Sequence, residues 1–258
     1  MWALEYCKSG RYNLCPDVIF LATPPVNGAW AEYIVMPSDY LFKLPDSMSF
    51  EAGALLEPLS VGFHAMQRGE AKPFDRVLIT GLGPIGLLAG QAAKLFGITE
   101  IYGTDTVAFR RELALEMGFK AVFDPSTDQI EKKLDELTGG AGITLIVESS
   151  GNARAMADTV KLVKRGGRIV FVGLPATDEV PMDMACLIDG EIDSYGVFRY
   201  ANTYPEAIQA LQRSSVDIES IITHRYGLTD IKEAVKTTHT RKDTSIKVMI
   251  YPNSPISP

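Results

Sequence analysis

The sequence predicts an α/β protein built on a doubly wound, six-stranded parallel sheet. From residue 76 onward, short apolar runs alternate with stretches of helical spacing. Parallel neighbours need such long crossover connections. The runs Val77-Leu78-Ile79 and Leu145-Ile146-Val147 are apolar at consecutive positions, the pattern of strands covered on both faces. A glycine-rich turn directly follows the first of them.

In chain order, the reading begins with loop and β over the first 45 residues. Short strands are expected at 18–22, 31–35 and 40–44, separated by Pro, Gly, Asn and Asp. From Ser49 the apolar spacing becomes helical through Ala54, Leu55, Leu59, Val61 and Met66, and it ends near Gly69. Pro58 is expected to break or kink that helix beside Glu57. The α/β pattern then predicts strands at 76–80, 100–104, 121–123, 143–148, 168–172 and 192–198, with helices at 85–96, 107–117, 129–137 and 153–163. Helices at 204–213 and 230–237 and a last strand at 246–250 follow, and the tail with Pro252, Pro255 and Pro258 is expected to fray.

The 258 residues are 46% hydrophobic and 22% charged, as in ordinary globular proteins. A net charge of −7 gives no reason to expect nucleic acid or an anionic membrane as partner. No apolar run of about 18 residues exists to span a bilayer. The first residues carry neither the basic nor the apolar region of a signal peptide, so a cytoplasmic location is expected. Cys7, Cys15 and Cys186 are too few for a disulfide framework.

Gly81-Leu82-Gly83-Pro84-Ile85-Gly86 fits G-x-G-x-x-G, and it lies between a strand and a helix, where the pattern carries meaning. Gly81 permits the turn, Gly83 lets a pyrophosphate approach the backbone, and Gly86 lets helix and strand pack closely. The phosphate charge then meets the positive end of the helix. Asp105 ends the next strand, about 20 residues after Gly86. A carboxylate there accepts from both ribose hydroxyls and repels a 2′-phosphate, so NAD is expected in preference to NADP. Arg110 reads equally well as an adenosine contact or as a solvated helix residue.

The stretches at 5–16 (EYCKSGRYNLCP), 20–25 (FLATPP), 53–62 (GALLEPLSVG) and 197–204 (VFRYANTY) are distinctive. Together they resemble sorbitol (L-iditol) dehydrogenase and its xylitol and arabinitol relatives, the polyol branch of the zinc-containing medium-chain dehydrogenases. The resemblance runs from Glu5 to about Val248. It implies oxidation of a secondary alcohol of a polyol to a ketose, with hydride passed to NAD and zinc acting as Lewis acid. It also implies a Rossmann domain over 57–198, with the remnant of a β-rich GroES-like catalytic domain at 1–56 and its C-terminal return at 199–258.

Carried over residue by residue, Glu57 matches the family's glutamate beside the metal. Arg199 and Tyr200 match the pair that hydrogen-bonds substrate hydroxyls, with Arg199 also able to hold Glu57. Ile85, Asp105 and Arg110 match cofactor contacts. Val172-Gly173-Leu174 and Val197-Phe198-Arg199 match the two strand-end segments along the nicotinamide. A small-molecule polyol is the implied partner, and a homo-oligomer, tetrameric in the family, is an open expectation.

Two departures from the family stand out. Its catalytic zinc ligands, a Cys and a His-Glu pair, belong to a segment preceding the position that Met1 matches, and His64, His224 and His239 show no H-E or H-x-x-x-H spacing. In the lobe where many relatives carry four cysteines, Cys7 and Cys15 occupy the last two positions, while Met1 and Leu4 stand at the first two. No metal ligand is therefore assigned, and impaired activity is expected. A non-catalytic NAD-binding protein, acting as a sensor or as partner of a full-length paralogue, and a zinc-free reductase stay open as alternatives.

Overall fold

The computed structural model describes residues 4–253; Met1, Pro255 and Pro258 lie outside the described residues. A single-turn helix α1 (Glu5–Lys8) opens the chain, and irregular backbone leads to the long helix α2 (Phe50–Arg68). The α/β pattern follows as β1 (Arg76–Thr80), α3 (Pro84–Leu95), β2 (Glu100–Thr104), α4 (Ala108–Glu116), β3 (Ala121–Phe123), α5 (Ile130–Thr138), β4 (Ile143–Glu148), α6 (Ala153–Leu162) and β5 (Val163–Phe171). After them come α7 (Met184–Asp189), β6 (Asp193–Gly196), α8 (Tyr204–Gln212), β7 (Ile222–Gly227), α9 (Ile231–Thr240) and β8 (Lys247–Tyr251).

The six-stranded sheet has the order β3-β2-β1-β4-β5-β6, and its pairings are all parallel. Strand order reverses between β1 and β4, and the crevice beyond their carboxyl ends is where such sheets bind ligands. Successive side chains of a strand face opposite ways. Val77 and Ile79 accordingly enter the apolar cluster beneath α2 and α3, while Leu78 enters the cluster on the other face with Tyr102, Ile146 and Ile169. Helix α2 lies hard against α3: a Cβ on Gly62 would stand 2.7 Å from the Ala89 backbone. Strands β7 and β8 pair in parallel as a separate two-stranded sheet with α9 between them in sequence. Ile222, Ile246 and Met249 nevertheless share the α2–α3 cluster.

The doubly wound sheet therefore forms as expected, and the differences lie outside it or at its ends. The strands expected at 18–22, 31–35 and 40–44 do not form; turns and a 3-10 turn at Ser38–Tyr40 stand there. Tyr33 is 89% and Val35 98% exposed. β-propensity alone does not make a strand when no neighbour completes its ladder. Helix α2 runs unbroken through Pro58. A mid-helix proline costs about 3 kcal/mol, but Leu55, Leu56, Leu59, Phe63 and Met66 bury along this helix and outweigh it. Ser49 caps its start, accepting from the Ala52 N–H at 2.9 Å.

Helix α7 and strand β7 were not legible as elements. Strand β5 begins already at Val163, with an irregular register and a left-handed Gly166 (φ +68°) before Arg168. Strand β6 is shorter than the expected 192–198.

Candidate nucleotide and substrate site

The first half of the site is the turn from β1 into α3. Gly81 has φ +85°, and a Cβ there would sit 2.7 Å from Ser150. A Cβ on Gly86 would run into the Gly81 carbonyl oxygen, so only glycine lets the helix start this close to the strand. At Gly83 no atom beyond its neighbours in the chain lies within 4 Å of where a Cβ would stand. That open cradle fronts the first turn of α3, whose start has Pro84 but no side-chain cap. Its free N–H groups and the helix dipole suit a phosphate, so the residues present fit a dinucleotide. Ile85 is half-buried in that same turn.

Asp105 follows β2 and is 6% exposed. Its Oδ2 accepts from the Leu82 N–H at 2.8 Å, and its Oδ1 from the Val107 N–H at 2.8 Å. Arg110 reaches Oδ2 with Nη1 at 3.4 Å, and its buried Nε has no partner. The structure thus brings Asp105 and Arg110 together beside the glycine turn.

The ends of β4, β5 and β6 are laced to one another. The Glu148 carbonyl accepts from the N–H groups of Val172 and Gly173 at 2.8 and 3.0 Å, and the Phe171 carbonyl accepts from Val197 N–H at 2.9 Å. Leu174 and Phe198 are exposed beyond them. Sequence reasoning missed the group at the centre, the fully buried Glu148 side chain. It accepts from the Ser150 N–H at 2.9 Å, the Ser150 hydroxyl and the Gly151 N–H at 3.1 Å. Burial pushes its carboxyl up, against the opposing pull of those donors.

The second half gathers around the loop after β6. Arg199, at φ +57°, lays its guanidinium 4.0 Å from the Phe20 ring centre and 4.8 Å from that of Phe198. Its Nη1 is buried without a partner. The Tyr200 hydroxyl lies 3.1 Å from that of Tyr204 and within reach of the Glu57 carboxylate. Burial first, then the Tyr204 bond and the Glu57 charge, drives the Tyr200 phenol far above its usual range. Tyr204 in turn stacks on Phe42, with ring centres 5.1 Å apart. Among the described residues Arg199 makes no ion pair with Glu57; Tyr200 reaches that carboxylate instead. Phe20 and Tyr204 belong to the motifs at 20–25 and 197–204, yet nothing in those motifs says that they clasp Arg199 and Tyr200.

Among the described residues no group of three or more His, Cys, Asp or Glu side chains is placed to hold a metal. Cys7 and Cys15 are both buried, and burial together with the Cys15 thiol raises Cys7. Also among the described residues, no helix is long and apolar enough to cross a membrane.

The sheet order and the glycine turn at its switch point define a Rossmann-type dinucleotide-binding fold. Residues 84–213 match the family model described as zinc-binding dehydrogenase. The sorbitol dehydrogenase of Bacillus subtilis is 43% identical over 249 residues, which is 96% of this chain and 70% of that protein. An Escherichia coli oxidoreductase/dehydrogenase of unknown specificity superposes with a TM-score of 0.91 at 34% identity, covering 97% of this chain and 73% of its own. A zinc-binding dehydrogenase from Sinorhizobium meliloti, bound to NADP, superposes with a TM-score of 0.87 at 26% identity, covering 98% and 74%. The chain belongs to the zinc-binding medium-chain dehydrogenases, within the sorbitol dehydrogenase branch.

Proposed function

We propose that this chain serves the oxidation of a secondary alcohol of a small polyol to a ketose, with NAD as hydride acceptor. The observation that carries the reading is Arg199. Its guanidinium is clamped between two rings, and one buried nitrogen has no partner. A buried donor without an acceptor is costly, and a polyol hydroxyl would supply one. Tyr200, bonded toward Glu57 and Tyr204, orients a neighbouring hydroxyl. NAD, when bound, takes up the hydride.

The chain's own residues would place that cofactor. The Gly81–Gly86 turn receives the pyrophosphate, Asp105 the ribose diol, Arg110 the adenosine side, and Ile85 packs against it. The segments Val172-Gly173-Leu174 and Val197-Phe198 line the nicotinamide. The preference for NAD over NADP rests on Asp105, since a relative of this fold carries NADP. No step here runs through zinc.

Saturation-transfer NMR on the purified chain with NAD and sorbitol or xylitol tests the reading. A polyol signal that vanishes in Arg199→Ala is expected. No signal in the unsubstituted chain would leave a nucleotide-binding protein without a polyol site, and one undiminished by Arg199→Ala would remove Arg199 from polyol binding.

A further inference from the structure

We infer that a cavity between α2, the turn after α1 and the loop after β6 binds a phosphate group. The cavity holds about 330 Å³ and is lined by Arg11, His64, Arg68 and Glu206 among others. Of the nucleotide and substrate residues described above, it shares only Phe198. Its volume lies at the low end of small-ligand pockets, with room for a phosphate and part of what carries it.

The charge arrangement selects the ligand. His64, Gln67 and Arg68 are three and four positions apart on α2, and so share one helix face. Arg11 comes from the turn opposite and makes no ion pair or hydrogen bond through its side chain among the described residues. Arg68 has its guanidinium carbon 5.4 Å from the Tyr195 ring centre, which fixes it without neutralising it. His64 Nδ1 is buried and has no partner. Burial lowers the His64 ring below its usual range; the Gln67 bond opposes this, while the charges of Arg68 and Arg11 add to it. The unpartnered Nδ1 can donate to a phosphate oxygen or accept from a protonated one, according to the ring's tautomer.

The one acid lining the cavity, Glu206, accepts from the Gln67 amide at 3.0 Å. Two guanidinium groups and an imidazole thus line the cavity with a single, already bonded carboxylate. Forked guanidinium donors match phosphate oxygens in pairs. The far wall is firm: Asn13 donates to the Phe198 carbonyl at 2.8 Å, and Asn202 donates to the Gly10 carbonyl at 2.8 Å.

Calorimetry of the full chain with inorganic phosphate, and separately with a hexose 6-phosphate, tests the site. The start of α3 also suits phosphate, so the deciding arms are Arg11→Gln and Arg68→Gln, which leave Gly81–Gly86 untouched. Each is expected to weaken phosphate binding about ten- to a hundredfold, the loss of one charged hydrogen-bonded pair. The His64 ring resonances should shift on saturation. Tighter binding of the hexose phosphate would identify an ester as the ligand, and equal binding the free anion. Arg68→Lys keeps the charge and should retain part of the affinity if Arg68→Gln unfolds the chain. Unchanged affinity in both Gln variants, or His64 signals that do not move, would overturn the site.

Discussion

The carboxylate of Asp105 holds the glycine turn directly: its Oδ2 accepts from the Leu82 main-chain N–H at 2.8 Å. The same side chain accepts from Val107 through Oδ1, so it fastens the turn and the start of α4 together. A carboxylate has about four acceptor sites, which leaves room for ribose hydroxyls as well. Asp105→Ala is therefore expected to lower both stability and NAD affinity. Losing acceptors for two main-chain N–H groups costs about 1–3 kcal/mol. The ratio of NAD to NADP affinity should also narrow, because Arg110, freed of its carboxylate partner, remains to meet a 2′-phosphate. Calorimetry with both cofactors checks this, and an unchanged ratio would remove Asp105 from cofactor choice.

The first turn of α2 is fastened to the two-stranded sheet by a forked pair. Arg225 Nε stands 2.7 Å from Glu51 Oε1 and Nη2 2.9 Å from Oε2, while the Tyr251 hydroxyl also donates to Glu51. The Arg225 bond lowers the Glu51 carboxyl below its ordinary 4.5. A depressed carboxyl contributes stability that is complete above the ordinary value and lost as the pH falls through the folded one. Arg225 is 43% exposed, so solvent screening holds the pair to about 1 kcal/mol. Glu51→Gln should lower the melting temperature at pH 7 by roughly 2–4 °C. The gap between the two proteins should close in strong acid. A gap that is the same at pH 7 and pH 3 would show that the fork's charge contributes nothing.

Glu148 runs the other way. Burial raises its carboxyl above 4.5, so the folded state binds the proton more tightly than the unfolded chain. Stability then falls as the pH climbs from the ordinary value toward the raised one, and stays reduced above it. Glu148→Gln keeps an acceptor for Ser150 and Gly151 while removing the ionisation. Its stability relative to the parent should therefore increase across that window, as read by denaturant unfolding at a series of pH values. Glu148→Ala strands the donors instead and should cost about 1–3 kcal/mol. Parallel pH curves for parent and Gln variant would refute the assignment.

The sheet was legible in the sequence because its signal is local. Val77-Leu78-Ile79, the glycines after them and Asp105 lie within one β-α-β unit, and each position is dictated by the backbone beside it. The N-terminal 45 residues were misread for the opposite reason. Runs such as Ala31–Val35 have strand propensity, but a strand exists only where a partner offers its ladder, and that information is not local. Pro58 was misread because intrinsic helix preference is a weak prior against the apolar face that α2 buries. Tyr204 and Phe20 illustrate the limit at the site. They lie 184 positions apart, and their roles appear only once the loop after β6 sets Arg199 over Phe20 and Tyr200 against Tyr204.

The last expectation concerns turnover by the 1–258 polypeptide. Forming an alkoxide from a polyol at neutral pH needs positive charge at the reacting oxygen. Among the described residues no side-chain cluster is placed to hold a metal cation. Glu57 carries the wrong sign, and the Tyr200 phenol, raised by burial, stays protonated at neutral pH. Arg199 and Tyr200 orient hydroxyls, and positioning alone supplies some rate, but the electrostatic contribution is usually the largest. The polypeptide is thus expected to retain less than one zinc per chain after dialysis, and to oxidise sorbitol or xylitol at a small fraction of the rate of the Bacillus subtilis relative. Tyr200→Phe should weaken polyol binding about tenfold, through the loss of one hydrogen bond of roughly 1–1.5 kcal/mol. It should leave NAD affinity unchanged, since the lost hydroxyl is bonded toward Glu57 and Tyr204 and not toward a cofactor residue. Metal analysis, an NADH absorbance assay and the two binding measurements check these points. Full turnover that survives chelators would overturn this expectation and point to zinc-free chemistry.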